Sequence, residues 1–124
     1  MNLWTIKAVH SAVFVVMLSA IGWLLATGLV GRRDRTVAAA GALVAAEATV
    51  FVVNGGVCPL TPLAERYGAT KGGVSDIFLP TPVARTIPIW AGSLVVFAAV
   101  LHLRRLLACR IETPPAMPGA SGRD

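Results

Sequence analysis

"VAAAGALVAAEATVFVVNGGV", residues 37 to 57, is the stretch whose reading decides the fold. A helix needs about 20 residues to cross a bilayer, and this run has that length with Glu47 as its only charge. A buried helix of a soluble domain is the other reading, and the flanking sequence argues against it. Upstream, Trp4 to Val30 carries no charge after Lys7; downstream, a third apolar run extends from about Thr86 to Leu103. Hydrophobic residues make up 56% of the 124 and charged residues 14%, against about 25% charged in soluble domains. Mean hydropathy is +0.73. A soluble chain of this size would lack the polar surface to cover so much apolar side chain.

The expected fold class is therefore all-α integral membrane: three transmembrane helices and a partly helical extracytoplasmic cap loop. One domain covers residues 1–107, with spans at about 4–30, 37–57 and 86–103 and the cap loop at 58–85. Residues 108–124, rich in proline and glycine, read as a disordered tail. The first run is too long for the apolar part of a cleaved signal peptide. "ATGLVGRRDR", residues 26–35, reads as a stop at the membrane surface.

The net charge of +5 does not point to nucleic acid, because the arginines flank apolar runs. "GRRDR" at 31–35 separates the first two spans, and Arg104, Arg105 and Arg110 follow the third. Three spans place both groups on one side, and the positive-inside rule makes that side cytoplasmic. The N-terminus is then outside and the C-terminus cytoplasmic. Arg66, Lys71 and Arg85 in the outer loop work against this bias.

Within the loop, Thr61-Pro62 and Thr81-Pro82 have the form of a threonine N-cap followed by proline at the first helical position. They predict a short helix from Pro62 to Tyr67, ended by Gly68, and a second start leading into the third span, where Pro88 introduces a kink. "ATKGGVS" reads as a turn and "SDIFLP" as an interfacial segment. In the second span, Ala38 and Ala42, and Gly41 and Ala45, are four apart and allow close approach of a neighbouring helix.

The candidate functional residues lie toward the outer end. A charged carboxylate at the centre of a span costs about 2.5–3.5 kcal/mol on insertion scales, so Glu47 must face a partner, a cavity or a proton. Glu47, Phe51, Asn54 and Cys58 fall on one stripe if the helix continues that far. His10, in the outer third of the first span, reaches a compatible depth. A His10–Glu47 pair that fixes helix register is one reading; a metal ligand, haem ligand or proton relay is the other. His102 lies near the opposite end of the third span, too far from His10 to share one iron. Cys58 and Cys109 fall on opposite sides and should not pair. No C-x-x-C, phosphate loop, Ser-His-Asp set or H-E-x-x-H occurs.

An early histidine, an acid in the second span, "CPLTPLAERYG", "GGVSDIFLP" and a closing span resemble a family of small uncharacterised bacterial polytopic membrane proteins with a Cys-Pro-Leu-Thr signature. The resemblance covers about residues 7 to 105. Its matched residues are His10, Glu47, Cys58, Pro59, Leu60 and Thr61. Glu65 follows the signature with Ala64 intervening between it and Pro62-Leu63. The resemblance implies the bacterial plasma (inner) membrane and supplies no activity. The expected function is that of a non-enzymatic structural or accessory subunit in the lipid bilayer, packing as a homo-oligomer or in a larger membrane complex, with no nucleic-acid partner. The alternatives are a redox, haem- or metal-binding protein using His10, Glu47 and Cys58, and a proton-coupled transport component.

Overall fold

The computed structural model describes residues 2–69 and 79–112. Four helices follow one another: α1 (Leu3–Val30), α2 (Arg35–Val53), α3 (Leu60–Arg66) and α4 (Thr81–Ile111), with no strand among the described residues. α1, α2 and α4 are each long and apolar enough to cross a membrane, which is the make-up of a multi-pass membrane protein. At 1.5 Å per residue they measure about 42, 28 and 46 Å, against a hydrocarbon core of about 30 Å. All but Ala69 of the "ATKGGVS" turn and most of "SDIFLP" fall on residues 70–78 and the tail beyond Glu112 on 113–124, outside the described residues.

Local chemistry sets the ends. Asn2 caps α1 by accepting from the Thr5 backbone N–H at 2.9 Å. Gly31 stops it in the left-handed conformation (φ 79°), and its N–H and that of Arg32 both reach the Thr27 carbonyl. Asp34 starts α2 three residues later, its carboxylate accepting from the Thr36 and Val37 backbone N–H groups. This tight connection makes α1 and α2 an antiparallel hairpin. Arg32 pairs with Asp34 and lies over the Trp23 ring at 5.6 Å. The Trp23 indole N–H donates to Thr36 Oγ1 at 3.1 Å.

Three boundaries differ from the sequence expectation. α2 ends at Val53 rather than 57, because Gly55 and Gly56 take φ of 74° and 80° and the Asn54 side chain donates to the Val57 carbonyl at 2.7 Å. α3 begins at Leu60, so Thr61 lies inside it rather than at its N-cap; the N-cap is Pro59, which makes no side-chain cap hydrogen bond. α4 begins at Thr81, with Pro82 tolerated in the first turn, and runs on to Ile111. Residues 108–111, assigned to the tail by the sequence, are therefore helical.

α1 is the keel of the molecule. α2, α3 and α4 each pack on it, while α2 and α4 lie against α1 rather than against each other. The main core sits around the middle of α1 and toward its C-terminal end: Ala20, Ile21 and Leu24 with Val44 of α2 and Ala98 of α4. Beyond it, toward the end carrying the arginines, α1 and α4 close tightly. A Cβ at Gly28 would stand 3.2 Å from Leu101 Cβ and 3.3 Å from His102 Nε2. His102 Nε2 lies 2.9 Å from the Leu24 carbonyl, and Arg105 donates to the Leu29 carbonyl at 2.8 Å. His102 and Arg105 thus hold backbone oxygens near the end of α1. At the opposite end, carrying α3, the buried side chains are Ile6, Ala64 and Ala84.

Candidate functional site

α2 and α4 pack on α1 rather than on each other, and a cleft of about 760 Å³ lies between them, with α1 as its floor. It runs along α1 from His10 to Ile21, about 17 Å at 1.5 Å per residue. The walls are apolar: Phe14, Met17 and Ile21 from α1, Phe51 and Val44 from α2, Trp90 and Val95 from α4. Polar side chains gather toward the α3 end: His10, Glu47, Cys58, Thr61, Glu65 and Arg85. Several lining residues of α2 and α4, among them Ala48, Val52, Gly92 and Val96, are exposed, so the cleft opens sideways between these helices. An apolar cavity of this size with a few converging polar groups has the anatomy of a ligand-binding site.

His10, Glu47 and Cys58 line one cleft together with Thr61 and Glu65 of the signature loop, but the helical stripe expected to join Glu47, Asn54 and Cys58 is broken. With α2 ending at Val53, Glu47 stands about 9 Å from the helix end, and His10 about 10 Å from the start of α1, by helical rise. Asn54 leaves the stripe to close the turn onto Val57. Cys58 reaches the cleft from that turn, across two left-handed glycines, rather than as the next step of a helix. Pro59 and Leu60 begin α3 and are not among the residues that line the cleft.

No hydrogen bond or ion pair joins His10 to Glu47 among the described residues, although the two line one cavity. His10 Nδ1 is buried, whereas the half-buried Glu47 faces the cleft and makes no hydrogen bond or ion pair among the described residues. Nor do three or more His, Cys, Asp or Glu side chains among the described residues group as metal ligands would. His102 is engaged at Leu24, which lies about 21 Å along α1 from His10. One iron cannot span that distance.

Arg85 and Trp90 are cleft residues that the sequence reading did not single out. Arg85 stands just before the third apolar run, where it reads as an ordinary flanking charge. Cys58 and Cys109 are not joined in a disulfide. Comparison of the chain with models of protein families, with curated proteins and with solved structures gives no match.

Proposed function

We propose that the chain is a small non-enzymatic accessory subunit of a bacterial inner membrane that packs through the outward face of α2 against a second copy or a larger complex. The arginine-bearing end faces the cytoplasm and the α3 end faces outward, following the positive-inside rule. The outward face of α2 carries the reading. Ala38, Ala42, Ala45 and Ala46 are all exposed, and a Cβ at Gly41 would meet nothing within 4 Å. Only Val44 of the helix is buried. Contact with lipid tails gives no reason to prefer small residues, whereas close approach of a second backbone does.

The test is the oligomeric state and the set of copurifying proteins in mild detergent. The wild type should be oligomeric or bound to a partner, and Ala42→Leu combined with Ala45→Leu should release it. A strictly monomeric wild type that copurifies with nothing overturns the reading.

A further inference from the structure

The cleft lies on another side of the molecule from the small-residue face, and its length is informative. A membrane-crossing helix seated between α2 and α4 would need a groove as long as the hydrocarbon core, about 30 Å. This cleft extends about 17 Å by helical rise and ends on the packed core at Ile21 and Val44. That length is close to one leaflet of hydrocarbon, about 15 Å. Its shape therefore suits a lipid tail entering from one side of the bilayer.

The polar end defines the headgroup. Glu47 and Arg85 line the same cleft with opposite charges, and neither forms an ion pair or hydrogen bond with the other or with any described residue. Glu47 is half-buried and Arg85 is exposed where it lines the cleft, and a half-buried carboxylate is normally matched by a partner. A molecule carrying both signs would match both. Arginine suits phosphate by bidentate donation, and a carboxylate suits a primary ammonium that can donate to it. A quaternary ammonium cannot donate and is bound instead by cages of several aromatic rings; Trp90 and two phenylalanines line this cleft, spread along its walls.

We propose that the α2–α4 cleft binds one phospholipid of the surrounding bilayer whose zwitterionic head bears a primary ammonium, with the phosphate on Arg85, the ammonium on Glu47 and an acyl chain against Phe14, Met17 and Trp90. The proposal rests on membrane insertion and not on the α2 interface, so either can fail alone.

Trp90 lies in the cleft and provides the readout. The full chain carrying Trp4→Phe and Trp23→Phe would be reconstituted in phosphatidylcholine vesicles containing brominated-chain phosphatidylethanolamine or brominated-chain phosphatidylcholine at equal mole fraction. Quenching of Trp90 should give a relative affinity on the order of fivefold in favour of phosphatidylethanolamine, the size expected of a partly exposed ion pair. Glu47→Gln should bring the two lipids toward parity, Arg85→Gln, which removes the contact to the phosphate both lipids share, should weaken quenching by both, and Arg104→Gln at the far end should change neither. Glu47→Gln removes a charge from a membrane helix, so loss of preference there is not loss of fold. Parity in the reporter chain, a preference that survives Glu47→Gln, or quenching by both lipids that is unchanged in Arg85→Gln overturns the proposal. So does absence of quenching by either lipid, which would mean that protein covers the cleft.

Discussion

Replacing Gly28 by leucine tests the α1–α4 contact on which the arrangement of the helices depends. A Cβ at this position would already lie 3.2 Å from Leu101 Cβ and 3.3 Å from His102 Nε2, and leucine adds three further carbons beyond it. Overpacking of this kind costs about 1–3 kcal/mol. Displacing His102 from the Leu24 carbonyl costs a further 0.5–1.5 kcal/mol or so. Leucine recovers about 0.7 kcal/mol in helix propensity over glycine. The net expectation is destabilisation by about 2 kcal/mol. Helicity followed by circular dichroism during denaturant titration in detergent would measure it. Gly22→Leu is the control, because a Cβ there meets nothing within 4 Å. It should be neutral or slightly stabilising. His102→Ala should cost little in the Gly28→Leu background, since the hydrogen bond is already lost, and more in the wild type. If Gly28→Leu is as stable as Gly22→Leu, or if the two costs simply add, the contact is not as close as described.

Three other expectations concern separate parts of the chain. The Asp34 carboxyl is held down to about 2, from an ordinary 3.8, by hydrogen bonds from Thr36, Arg32 and the Val37 backbone. A lowered carboxyl contributes stability above its ordinary value and loses it as pH falls through the folded value. Amide exchange at Thr36 and Val37 should therefore show opening at the start of α2 as pH drops from about 4 toward 2, and Asp34→Ala should abolish that pH dependence; a flat wild-type profile refutes it. Gly41→Leu should leave the monomer's stability unchanged while weakening association through α2, as read by crosslinking in membranes, and a stable oligomer would count against that interface. A maleimide that cannot cross membranes should reach Cys58 and Cys109 from opposite faces of sealed vesicles, and labelling of both from one face contradicts the topology.

The long helices were legible because length and hydropathy suffice to mark a span, and the arginines mark where two of them stop. The end of α2 was legible in principle. Asn54-Gly55-Gly56 stands in the opening stretch, and two left-handed glycines after an asparagine stop a helix. Spacing at four, three and four drew Glu47, Phe51, Asn54 and Cys58 into one stripe instead, since periodicity is blind to where a helix ends. The Thr-Pro pairs misled in a similar way. Each lies within a residue or two of a true helix start, but both helices begin earlier, and the N-cap residue of each is a proline rather than the threonine.

The contact between α1 and α4 left no local trace in the sequence. Gly28 is one glycine among many small residues, and His102 followed by two arginines reads as an interfacial histidine. Their meaning depends on a pairing across 74 positions of chain, which no window of helical periodicity can detect. That contact also bears on the cleft. Absence of a side chain at Gly28 lets Leu101 and His102 approach the backbone of α1, and Arg105 reaches the Leu29 carbonyl one turn beyond. α4 is thereby held to α1 at the arginine-bearing end, while the short Gly31–Asp34 turn holds α2 there as well. At the other end no comparably short connection ties α2 to α4, and α3 packs on α1. α2 and α4 both pack on α1 and leave between them a cleft that runs along α1 from His10 to Ile21. This places Glu47 and Arg85 in one cavity without bringing them together. The same residues in a triangular bundle, with α2 against α4, would bury that cavity and leave its charges either paired or strained. Thus a glycine and a histidine that looked least informative in the sequence are those at which α4 closes on α1, at the end away from the cleft's polar residues.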